Sequence, residues 1–64
     1  MTRTQQQVID EKTELDKRLA SLIVFFGTSL FSELDPDERI RMHRQAMAME
    51  EYSLILKWRI SAFK

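Results

Sequence analysis

Only two residues in this chain interrupt a helix on chemical grounds, and they divide it in two. Gly27 follows the first long periodic segment and Pro36 opens the second; the sequence holds no other Gly or Pro. A glycine just past a helix suits the left-handed C′ position, where a Cβ is penalised. Proline is tolerated at the first helical position because its missing N–H has no intrahelical acceptor there. Asp35 can cap that helix, and Glu38, three residues on, completes a capping-box-like pattern. Asp37 and Glu38 also place negative charge at the positive end of the helix dipole. The spacing predicts a helix over about 4–26, a short helical turn over about 29–34 and a helix over about 36–62. In the turn, Leu30, Phe31 and Leu34 are expected to plug the end of the bundle. No segment alternates with the period of a strand, and β-branched residues are sparse. The expected fold is all-α: one domain over 1–64, an antiparallel helical hairpin that assembles as a homo-oligomeric helical bundle.

Size argues for the assembly. With 64 residues, the chain can bury only about 60% of the surface its unfolded form exposes. Such domains are usually stabilised by disulfides, metal or oligomerisation. The absence of Cys and the single His remove the first route and most of the second, so no metal or cofactor is expected. Ten basic and ten acidic residues cancel, so no global field draws nucleic acid to the chain. The most apolar stretch, residues 19–31, contains Leu22-Ile23-Val24-Phe25-Phe26 but falls short of the roughly 20 residues that span a bilayer. A cytoplasmic chain without membrane contact is the expectation.

The apolar pattern of the two helices differs. Helix 1 carries Val8, Leu15 and Leu22, with Leu19 and Phe26 beside them, on one seam. Its remaining faces hold Asp10, Lys12, Glu14, Lys17 and Arg18, with Glu14 and Arg18 spaced as a favourable i,i+4 pair. Helix 2 carries two stripes. Met42, Met49, Leu56 and Phe63 recur every seven residues, flanked by Ala46, Ser53 and Ile60. Ile40, Met47 and Leu54 lie roughly 140° around the helix, with Ala48, Ile55 and Trp58 filling in. One partner helix can cover one stripe, so the other should face a second protomer. Met42, Met47, Met49, Leu54, Leu56, Trp58 and Phe63 are the candidate interface residues.

Catalytic chemistry is not expected. The chain lacks a Gly-rich phosphate loop, an H-E-x-x-H motif and an Asp-rich calcium loop. His43 is the one conventional general base, and Arg39, Arg41 and Arg44 surround it in sequence. The pairs Asp10/Glu11 and Glu50/Glu51 project about 100° apart on a helix and do not converge. The most suggestive segment is Arg39-Ile40-Arg41-Met42-His43-Arg44. In a hairpin, Lys17 and Arg18 lie at about the same distance from the turn, which makes that half a local positive zone. Arginine's planar fork suits phosphate oxygens, so symmetry-related zones could form an anion pocket from Arg39, Arg41, Arg44 and Lys17. The competing reading is a solvated face. Tyr52 could stack a nucleobase across an interface, while Trp58 suits an oligomer core or a protein-binding hot spot.

The second half also resembles a known family. Pro36-Asp37-x-Arg39, Met49 before Glu50-Glu51, then Trp58 and Ile60 are similar to the helical-hairpin domain of phage-encoded immune-signal sponges, which inhibit CBASS and Thoeris defences. The resemblance implies a non-enzymatic homo-oligomer that holds a cyclic di- or trinucleotide between protomers. A phage interaction module that binds and inhibits or tethers a host defence protein remains open beside it.

Overall fold

The computed structural model describes residues 2–64 and contains three helices among them: α1 (Arg3–Phe26), α2 (Ser29–Ser32) and α3 (Pro36–Ser61). α1 and α3 pack on each other as a helical hairpin, a rod 47 Å long and 14 Å wide. No strand occurs among the described residues, and no helix is long and apolar enough to cross a membrane.

α1 starts earlier than the apolar pattern suggests, because Thr2 and Gln5 form a reciprocal capping box. The Gln5 amide donates to Thr2 Oγ1 at 3.0 Å and the Thr2 amide donates to Gln5 Oε1 at 2.8 Å. The other end corrects an expectation. Gly27 has φ −88° and ψ 4°, not the left-handed conformation. The helix closes instead by tightening: the Gly27 amide donates to Val24 O at 3.1 Å and the Thr28 amide to Phe25 O at 3.0 Å. Thr28 then caps α2, accepting from the Phe31 amide at 3.3 Å. At α3, Asp35 accepts from the Asp37 amide at 3.0 Å and Pro36 sits at the start, as expected. Glu38 does not complete the box; its carboxylate accepts from Arg41 Nε at 2.9 Å.

The core is one residue deep. Val8, Phe31, Ala46 and Leu56 are buried, Leu56 completely at 0% exposure. Around them Leu15, Leu19, Leu22 and Phe26 of α1 are half-buried, as are Met42, Met49, Ser53 and Ile60 of α3 and Phe63 just beyond it. A single helix–helix contact leaves most seam residues one edge in water, which is why so few reach full burial. Phe31 plugs the end of the hairpin together with a half-buried Leu34, but Leu30 is 64% exposed and takes no part.

Two features join the helices beyond the apolar seam. Lys12 leaves the charged face of α1 and reaches across: its Nζ donates to Asp16 Oδ2 at 2.6 Å and to Ser53 Oγ at 3.1 Å. Ser53 Oγ donates in turn to Asp16 Oδ1 at 2.5 Å, closing a three-member network. Near the turn, the His43 ring packs 4.3 Å from Phe26 and edge-on to Phe31 at 5.4 Å. His43 therefore joins an aromatic cluster on one side while staying exposed beside Arg44.

Candidate functional site

The two stripes of α3 are separated by the fold. Met42, Met49, Leu56 and Phe63, with Ala46, Ser53 and Ile60, form the α1-facing line. Leu56 was a candidate for an interface between copies, but α1 already covers it completely, so it has no surface to give. The half-buried Met42, Met49 and Phe63 lie on the same line. The second stripe is open to solvent: Ile40, Met47, Leu54, Ile55 and Trp58 are all exposed, Met47 at 68% and Trp58 at 58%.

The candidate basic residues do not converge within one chain. At about 100° per residue, Arg41 and Arg44 lie about 60° apart on α3, while Arg39 lies roughly 140–160° from either. Lys17 lies about 180° around α1 from the buried Val8, on the side turned away from α3. Arg41 is paired with Glu38, and Arg44 and Lys17 are exposed. Arg39 is half-buried, and its Nε is enclosed with no hydrogen-bond partner among the described residues. An enclosed guanidinium nitrogen without an acceptor is costly, and an anionic oxygen would satisfy it.

Tyr52 borders an open groove between the helices, about 320 Å³ in volume, lined also by Glu11, Glu14, Leu15 and Arg18. That volume is at the small end of the range for small-molecule sites. Its ring is presented to solvent, so the groove offers a stacking surface. Its charge is wrong for a phosphate: two carboxylates face one guanidinium, and Arg18 is already 3.8 Å from Glu14. A phosphate beside Tyr52 therefore needs positive charge from outside this chain.

Sequence reasoning overlooked the Lys12–Asp16–Ser53 network. Ser53 was the available signal: a hydroxyl on an otherwise apolar seam must find a partner when the seam closes. Asp16 is held below its ordinary carboxylate value, first by the hydrogen bond from Lys12 and then by that from Ser53. No cluster of three or more His, Cys, Asp or Glu arranged to hold a metal ion occurs among the described residues.

The chain matches no curated protein and no solved structure. A family model described as Sequestin matches residues 2–62, almost the entire length, and the chain belongs to the Sequestin family.

Proposed function

We propose that this protein is a non-enzymatic phage anti-defence sponge that sequesters a cyclic nucleotide immune signal between copies of itself in the host cytoplasm. The observation that carries the reading is membership of a family whose name denotes sequestration. The geometry supports it in two ways. Tyr52 presents a stacking surface in a groove whose two carboxylates outweigh its one guanidinium, Arg18. Arg18 is engaged by Glu14 and Arg41 lies about 16 Å along α3 from Tyr52, so a free guanidinium reaches the groove from a neighbouring copy. In this reading Tyr52 stacks a base, and Arg39, Arg41, Arg44 or Lys17 from adjoining copies neutralise phosphates. The open stripe containing Met47 and Trp58 favours a second reading, an interaction module that binds and inhibits or tethers a host defence protein.

Thermal unfolding with a panel of cyclic di- and trinucleotides tests the proposal. At a hundredfold excess over its dissociation constant, a bound ligand stabilises the fold by about 2.7 kcal/mol, several degrees in a domain of this size. Tyr52→Ala should weaken that binding by about 1–3 kcal/mol, the usual worth of a base–aromatic stack. No shift with any cyclic nucleotide would overturn the reading in favour of a protein partner.

A further inference from the structure

The exposed face of α3 has an internal symmetry that specifies its own partner. Asp37, Ile40, Arg44, Met47, Glu51, Leu54, Trp58 and Ser61 follow one another at alternating spacings of three and four residues. That spacing keeps a continuous seam on one side of a helix and is the pattern by which two helices pair lengthwise. The apolar members are exposed. Two charges interrupt them, Arg44 and Glu51, both exposed. Among the described residues the ion pairs are Lys12–Asp16, Arg18–Glu14 and Arg41–Glu38, so neither Arg44 nor Glu51 is engaged within the chain.

Arg44 and Glu51 are of opposite sign and stand equally far from the midpoint between Met47 and Ala48. Ile40 and Ile55 share that midpoint. A second copy laid antiparallel about it therefore sets Arg44 against Glu51 twice, Met47 against Ala48 twice and Ile40 against Ile55 twice. A parallel copy would instead set Arg44 on Arg44 and Glu51 on Glu51, and like charges opposed across an interface are strongly disfavoured. The stripe is thus self-complementary under a two-fold axis normal to the helices and self-repelling under one parallel to them.

We propose that α3 pairs with α3 of a second copy, antiparallel about the Met47–Ala48 midpoint, with Arg44 of each chain against Glu51 of the other. This specifies the assembly on which the sponge reading rests. It also completes the groove. A two-fold axis normal to the helix pair leaves each residue on the same side of the pair. Arg41 and Tyr52 lie within about 20° of each other around α3, so Arg41 of the second copy appears on the side where Tyr52 stands. In this register it comes level with Leu54, about 3 Å along the axis from Tyr52. Each groove then gains a guanidinium from the other chain, and the pair carries two such composite sites on one face. Arg44 serves the interface and Arg41 the anion.

Sedimentation equilibrium of four proteins decides the matter, with helicity checked by circular dichroism. Wild type should dimerise. Arg44→Glu and Glu51→Arg should each raise the dimer dissociation constant about tenfold or more, since each turns two attractive contacts repulsive. The double variant Arg44→Glu/Glu51→Arg should return it to within about threefold of wild type, because the reversed pairs again match. Parallel pairing exchanges one like-charge contact for another, so single variants that leave the constant unchanged would overturn the antiparallel register while the sponge reading stands. A folded wild-type monomer would overturn both the pairing and any sponge built between copies.

Discussion

Ser53 lies on the α1-facing line of α3 where an aliphatic side chain would ordinarily go, and its hydroxyl bonds across the hairpin to both members of the Lys12–Asp16 pair on α1. A polar group closed into a seam stabilises only when its partners are present, so the network fixes which turns of the two helices stand opposite. Asp16 is the member that titrates. Its folded value is lowered by Lys12 and Ser53, so its contribution is full above the ordinary carboxylate value and fades as pH falls through the lowered one. Wild type should therefore exceed Asp16→Asn in stability at neutral pH, by less than about 1 kcal/mol because the carboxylate is partly solvated. That margin should shrink as the pH drops below 3.8, as urea titrations at several pH values would reveal. A margin independent of pH would mean that the carboxylate's charge is not what the network uses. The sequence placed Ser53 on the seam but put Lys12 among the solvated charges. A long flexible side chain can leave its nominal face, and helical periodicity locates only the Cβ.

The ends of the helices separate what local chemistry can specify from what context decides. Asp35-Pro36 starts α3 as written, since a fixed proline φ and an aspartate cap act within two residues. Gly27 ends α1 without using the freedom that made it conspicuous. Thr28, next in line, caps α2 and keeps the intervening residue at negative φ. A Cβ at Gly27 would meet only Val24 O at 3.6 Å, an ordinary contact. Gly27→Ala should thus be neutral or stabilise by about 0.4–1 kcal/mol by restricting the unfolded chain. A left-handed glycine would make the same change destabilising, so thermal or urea unfolding of this variant reads the backbone directly. The aromatic cluster of Phe26, Phe31 and His43 was legible only in part. Phe31 was expected at the hairpin's end, whereas His43, flanked in sequence by arginines, carries no periodic signal of its stacking.

In the hairpin as a body, α1 is apolar on one side and α3 on two nearly opposite sides. α1 covers the Met42–Leu56 line and leaves Ile40, Met47, Leu54, Ile55 and Trp58 outside. The sequence displayed both stripes, because each follows its own heptad; which one faces α1 emerged only from packing, where Ala46 permits close approach and Ser53 finds its partners. The candidate ligand groups were legible as residue types but not as a site. Arg39, Arg41, Arg44 and Lys17 share a stretch of the rod without sharing a face, and a composite site has no signature in one chain. The sponge reading therefore depends on copies covering the open stripe. The most direct measurement is the mass of the purified protein by light scattering at micromolar concentration, read beside the emission of Trp58, its single tryptophan. Assembly predicts a mass at least twice 7.6 kDa and an emission that shifts to the red on dilution as the indole becomes wet. A fully helical protein of one chain's mass, with Trp58 already solvated and unchanged by dilution, would contradict it.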